Sequence, residues 1–133
     1  MVKNFELKIV ASDKKFYIGP CHNLIIPTID GLMGIMAGHE GTVTTIEPGE
    51  IKLQVDGVWH KAAVSEGFAE IMPEEVIILV DTAELPEEID IKRAEMAKER
   101  AEERLRHRES MKEYYYSKAA LSRAMARLKV TRK

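Results

Sequence analysis

One cysteine, few aromatics and no long apolar run mark this chain of 133 residues by what it lacks. A single thiol, Cys21, cannot close an internal disulfide, which fits a reducing compartment better than a disulfide-stapled scaffold. His22 follows it, but neighbours along a strand point to opposite faces, so no thiolate–imidazole pair is expected. Aromatic side chains are 6% of the residues, so aliphatic ones must fill the core. No apolar stretch approaches the roughly 18 residues that a membrane span requires. The first ten residues, MVKNFELKIV, lack the apolar run of a secretory leader and read as a strand. Glycine is absent from position 68 to the end, so the second part of the chain obeys a different grammar.

Charge divides the chain in the same way. Residues 1–85 carry 6 Lys/Arg against 13 Asp/Glu, a net −7; residues 86–133 carry 14 against 9, a net +5. A basic tail on an acidic body implies two modules, 1–85 and 86–133, with different neighbours. Nucleic acid, a nucleotide or an acidic protein surface would suit the tail. A solvated face on a pair of helices would carry the same charges.

Up to about Asp81 the pattern is one of short strands. Phe5, Leu7 and Ile9 alternate with Glu6 and Lys8, the signature of a half-buried strand. Phe16–Ile18 precedes the breaker Gly19-Pro20, and Leu24–Ile26 ends at Pro27. Gly31, Gly34, Gly38 and Gly41 do not have the spacing of a phosphate-binding loop and read as backbone punctuation. Ile51, Leu53 and Val55 alternate into Asp56-Gly57, a strong hairpin signal, and Val58–Val64 returns. Gly67–Met72 is a further strand. Val76–Val80 is apolar on both faces and is expected deep in the core. Seven or eight strands can be counted this way, without intervening helices, which indicates a β-sandwich or flattened barrel.

Pro86, Glu87, Glu88 and Asp90 then open a helix expected to run to about Arg106. Its apolar stripe is narrow: Ala94, Ala97, Ala101 and Leu105. Asp90, Arg93 and Arg100 fall near one angular sector. Ser110 with Glu113 reads as a capping box for a second helix. That helix carries Ser117, Leu121, Ala124, Met125 and Leu128 at helical spacing, and the short connection implies an antiparallel hairpin. Tyr114–Tyr116 face three directions and are expected to pack partly on the sandwich. Few large anchors secure this hairpin, so it should need a partner surface or a ligand to hold one conformation. No nucleophile with a base, metal cluster or phosphate loop is present, so no catalysis is expected. His39 reads as a structural or interface residue.

These segments resemble, in order and spacing, the epsilon subunit of bacterial F-type ATP synthases across essentially the whole length. Gly31-Leu32-Met33-Gly34-Ile35-Met36-Ala37-Gly38-His39 is similar to the family's DGELGILPGH. Glu47-Pro48-Gly49, Glu66–Glu70, Asp81–Glu84, Glu88–Ala94 and Glu99–Glu102 match further family segments. Two departures stand out. Ala37 replaces a proline, and Glu40-Gly41-Thr42-Val43-Thr44 replaces Ala-Pro and leucines on what reads as a partner-facing loop.

The resemblance implies a ten-stranded β-sandwich followed by a two-helix hairpin. It implies a non-catalytic place in a rotor stalk at the cytoplasmic face of the bacterial plasma membrane, peripheral and membrane-associated only through the complex. The implied partners are the gamma subunit and c-ring for the sandwich, and the alpha/beta hexamer for an extended, inhibitory hairpin, where complementary charge would register the interface. ATP is the implied regulatory ligand, with magnesium's part open, held through the motif I/L-D-x-x-R-A. Here that is Ile89-Asp90-Ile91-Lys92-Arg93-Ala94, with Glu84, Arg100, Arg123 and Arg127 added by the resemblance. Asp90 and Arg93 are three apart, Arg93 and Arg100 seven, Arg123 and Arg127 four, all compatible with shared helix faces. Carboxylates would take the adenine amino group or ribose hydroxyls, arginines the phosphates, and Ile89 the base. Asp90–Arg93 would equally serve as a plain helix ion pair, and Arg123 and Arg127 as contacts to the beta subunits. Two rival readings stand beside this one: a nucleic-acid-binding module using the basic hairpin, and a stalk subunit that ignores ATP. The first lacks aromatics interleaved with its basic residues.

Overall fold

The computed structural model describes residues 3–107 and 111–132. Ten strands come first: β1 (Phe5–Ala11), β2 (Lys15–Cys21), β3 (Asn23–Thr28), β4 (Gly31–Ile35), β5 (Thr42–Ile46), β6 (Gly49–Val55), β7 (Val58–Val64), β8 (Gly67–Ile71), β9 (Glu75–Val80) and β10 (Ala83–Glu84). A 3₁₀ turn at Pro86–Glu88 leads into α1 (Ile91–Arg106), and α2 (Met111–Thr131) follows. The strands form two five-stranded sheets, β2-β1-β9-β8-β5 and β10-β7-β6-β3-β4. Among the described residues only β1 with β9 is parallel; the other pairs are antiparallel.

The alternation read in β1 is realised: Phe5, Leu7, Ile9 and Ala11 are buried. Leu7, Ile9 and Ile78 of one sheet share a single core with Leu24, Ile26 and Ile51 of the other. That core is aliphatic, as the shortage of aromatics requires. Between β6 and β7, Asp56 and Gly57 take φ of 52° and 78°, the left-handed pair that a tight hairpin demands. Gly67 sits so close to β9 that a Cβ there would overlap the Leu79 carbonyl oxygen. Cys21 is buried and donates its thiol to the Asn23 carbonyl at 3.2 Å, so it is a structural thiol.

Several expectations need correction. The seven strands named from pattern leave out three of the ten. β4 is hidden by its glycines, β10 is two residues long, and β5 occupies the segment read as a partner-facing loop. Gly19-Pro20 does not end β2, because β2 is an edge strand and Pro20 lacks only an N–H that an edge need not supply. Pro27 likewise lies inside β3, opposite Leu32. β9 is buried on one face only, since Leu79 is 52% exposed. The first helix begins at Ile91, not at Pro86, because the 3₁₀ turn and the extended Ile89 intervene. It ends at Arg106 as expected.

The start of α1 lies beside the end of α2, with Ile91 and Lys98 lining the same groove as Leu128 and Thr131, so the two helices are antiparallel. Ala94 and Ala101 of α1 are buried, with Ala97 and Leu105 partly so. In α2 the buried residues are Ser117, Ala124, Ala126 and Val130, whereas Met125 is 51% exposed. Tyr115 and Tyr116 are exposed too, and of the three tyrosines only Tyr114 is half-buried. The proposed Ser110 cap lies outside the described residues. The hairpin rests on the face of the second sheet at β6 and β7. Its anchors there are few. Ala63, Ile89 and Val130 form one small buried cluster, and Lys61 Nζ donates to the Arg132 carbonyl at 2.8 Å. Among the described residues no helix is long and apolar enough to cross a membrane.

Candidate functional site

Asp90 caps α1: its Oδ1 accepts the Arg93 backbone N–H at 3.0 Å. The chain arrives at this cap through the 3₁₀ turn, where Glu88 Oε1 accepts the Leu85 N–H at 3.1 Å. Glu88 Oε2 meets Lys14 Nζ at 3.2 Å, tying the linker to the β1–β2 turn. The Leu85 N–H and the Lys14 ammonium hold the Glu88 carboxyl below the ordinary carboxylate value. Asp90 and Arg93 thus meet through a backbone cap. Among the described residues they form no side-chain ion pair.

Around this cap lies a cavity of about 380 Å³, within the range of small-molecule sites. Its lining comes from four pieces of chain. β10 supplies Glu84, the linker supplies Glu88, Ile89 and Asp90, α1 supplies Arg93, Ala94, Ala97 and Arg100, and α2 supplies Arg127. Six of the seven residues implied as ligands therefore border one space. The seventh, Arg123, does not. It meets Glu66 Oε1 at 3.5 Å and lines a neighbouring crevice with Ser65, Thr82, Glu84 and Arg127. Ile89 borders the cavity while belonging to the Ala63–Val130 cluster, so it also fixes the hairpin to the sandwich.

Charges in the cavity are unequally compensated. Arg127 donates its Nε to Glu84 Oε1 at 2.7 Å, a pair with both side chains less than a third exposed. Among the described residues Arg93 and Arg100 form no ion pair. Two uncommitted guanidinium groups beside carboxylates suit a ligand with an anionic end and a hydrogen-bond-donating end. The alanines leave room where larger side chains would fill the space.

Sequence reasoning missed Glu88 and Ala97 as lining and Glu66 as a partner of Arg123. Glu88 gave no capping signal in sequence, because Leu85 has no side-chain oxygen with which to complete a capping box. Glu66 had no local signal, since its partner lies 57 residues away.

Residues 4–86 match the family model of the ATP synthase delta/epsilon chain β-sandwich domain, and residues 87–132 match that of its long α-helix domain. The ATP synthase epsilon chain of Ruminiclostridium cellulolyticum is 50% identical over 127 residues, covering 96% of this chain and 95% of the relative. That of Caldanaerobacter subterraneus subsp. tengcongensis is 44% identical over 134 residues, covering 100% and 97%. In a cryo-EM structure of the OSCP, F1 and c-ring of the Euglena gracilis mitochondrial ATP synthase, one chain aligns with a TM-score of 0.82 at 26% identity. The alignment covers 92% of this chain and 78% of that one. A chain of the Tetrahymena thermophila mitochondrial ATP synthase central stalk and c-ring shares the fold, with a TM-score of 0.65 at 15% identity and 98% of each chain covered. Both domains match in order, and relatives of nearly equal length align end to end, so this chain belongs to the ATP synthase delta/epsilon chain family.

Proposed function

We propose that this chain is a non-catalytic central-stalk subunit of a bacterial proton-translocating ATP synthase, and that its hairpin senses ATP. The stalk assignment is supported by the epsilon-chain relatives and by the likeness to a chain solved with F1 and a c-ring. In this reading the sandwich joins the gamma subunit to the c-ring at the cytoplasmic face of the membrane. The hairpin, released from the sandwich, extends toward the alpha/beta hexamer and blocks ATP hydrolysis.

The observation that carries the sensing half is the four-part lining of the cavity. Glu84, Asp90, Arg93 and Arg127 border one space only while α1 and α2 lie folded against the sandwich. A ligand filling that space favours the folded hairpin by its differential affinity for the two states. At a hundred times its Kd it would add about 2.7 kcal/mol to the folded form. That is comparable to what one buried aliphatic anchor of the hairpin contributes. Its buried cluster is small, and an exposed ion pair contributes about 0–1 kcal/mol. Falling ATP would then release the hairpin. Arg93 and Arg100 supply charge for the phosphates, and Asp90 and Glu84 accept from the base or ribose.

Calorimetric titration of ATP into the full chain tests this, repeated with Asp90→Ala and Arg93→Ala. Saturable heat in the wild type that is weakened in both variants is expected. Equal heats in all three proteins would overturn the sensing half. Co-purification of the chain with gamma and the c-ring tests the stalk half.

A further inference from the structure

The geometry points to Glu66 as an internal rival of the ligand's phosphates for Arg123, one that sets how much ATP is needed to hold the hairpin. This rests on the nucleotide reading of the cavity and adds a residue that lies outside it.

Glu66 is held by a turn that has little freedom. Its carbonyl accepts the Asp81 N–H at 3.1 Å. Ser65, 2% exposed, donates its N–H to the Thr82 carbonyl at 3.1 Å, and its hydroxyl accepts the Thr82 N–H at 2.7 Å. Gly67, on the other side, abuts the backbone of Leu79 and Val80. The Glu66 carboxylate therefore stays with the sandwich whatever the hairpin does.

Arg123 stands one turn before Arg127 on α2, so the two share a face. Arg127 lines the cavity, and the crevice lined by Arg123 shares Glu84 and Arg127 with it. Turning its long side chain away from Glu66 would carry the Arg123 guanidinium toward the space that Glu84 and Arg127 border. Glu84, the partner of Arg127, is itself part of the cavity lining, so a ligand can bind beside that pair. Glu66 is not part of the lining, so a ligand that recruits Arg123 must first break the Glu66 pair. The side chains of that pair are 32% and 53% exposed, so the penalty is modest, about two- to fivefold in affinity.

The sign of one substitution decides the matter. Glu66→Gln in the full chain should bind ATP about two- to fivefold more tightly than wild type by calorimetry. The gain should vanish in an Arg123→Gln background and shrink as salt is raised. Glu66→Asp, which withdraws the carboxylate by one methylene, should fall between wild type and Glu66→Gln. Unchanged affinity in Glu66→Gln would overturn the rivalry. Weaker binding would also overturn it and make the pair a clasp that supports the folded hairpin. If Asp90→Ala weakens ATP binding while Glu66→Gln fails to tighten it, only the rivalry falls. If wild type gives no heat at all, the cavity reading falls and takes the rivalry with it.

Discussion

Val130 near the end of α2 and Ala63 on β7 are buried in one cluster, 0% and 3% exposed, and Ile89 completes it. Few other large apolar groups fix the hairpin to the sandwich. Val130→Ala should therefore weaken docking by about 2 kcal/mol. Amide hydrogen exchange would show this as faster exchange across α2, with β1 and β9 unchanged. Equal acceleration in both domains would mean that the cluster supports the whole fold.

Asp90 has two separable duties. Its carboxylate caps α1 through the Arg93 N–H, and it borders the cavity. Asp90→Ala should cost about 1 kcal/mol of helix stability as well as ATP affinity. Asp90→Asn can still cap but brings no negative charge. It should keep the helical circular dichroism of wild type while binding ATP more weakly, and wild-type affinity in Asp90→Asn would assign the residue to capping alone.

Glu88 should make the linker acid-sensitive. The Leu85 N–H and Lys14 lower its folded-state pKa below the ordinary 4.5. Its contribution is thus complete above that value and is lost as pH falls through the lower, folded-state pKa. Thermal melts between pH 6 and pH 3 should fall less steeply for Glu88→Gln than for wild type. Parallel curves would remove Glu88 from the acid response.

Gly67→Ala should be severe. An added Cβ would meet the Leu79 carbonyl oxygen and, at 2.7 Å, the Val80 Cα, both backbone atoms of the paired strand. Relief requires β8 and β9 to part, at about 3 kcal/mol or more. Gly57→Ala, where φ is 78° and nothing crowds the site, should cost about 1–2 kcal/mol. Chemical denaturation of the two variants would rank them, and a milder Gly67→Ala would contradict the close packing of these strands.

Cys21 should be silent until the chain unfolds. Burial pushes its thiol up from the ordinary 9.0, and the Asn23 and Gln54 backbone bonds only partly offset this. A thiol-specific dye at pH 8 should label denatured protein fully and native protein only at the rate of unfolding. Rapid native labelling would place Cys21 at the surface.

Legibility followed the range of the interaction. Phe5, Leu7 and Ile9 announced β1 by alternation, and Asp56-Gly57 announced the β6–β7 turn, because both signals lie within a few residues. Val130 gave no such notice. Its burial depends on Ala63, far back in the chain, while Met125 looked equally apolar and lies exposed. Leu79 misled for the same reason, since hydrophobicity does not say which face of a sheet another layer covers. In the candidate site the motif around Asp90 and Arg93 was visible in sequence. That Glu84 and Arg127 reach the same space, and that Glu66 meets Arg123, depends on sheet order and hairpin docking.

The parallel pairing of β1 with β9 imposes an order on biosynthesis. β1 leaves the ribosome first, but its inner neighbour in the sheet is complete only at Val80. The sandwich therefore cannot close until that strand has emerged, and such long-range pairing is slow. The hairpin follows at once and is local, so its helices can form quickly. They must then wait for β7 and β10 to settle before Val130 and Arg127 find their partners. Docking of the hairpin is therefore the last step available to the chain, since Ala63 and Glu84 must already be in place to receive Val130 and Arg127.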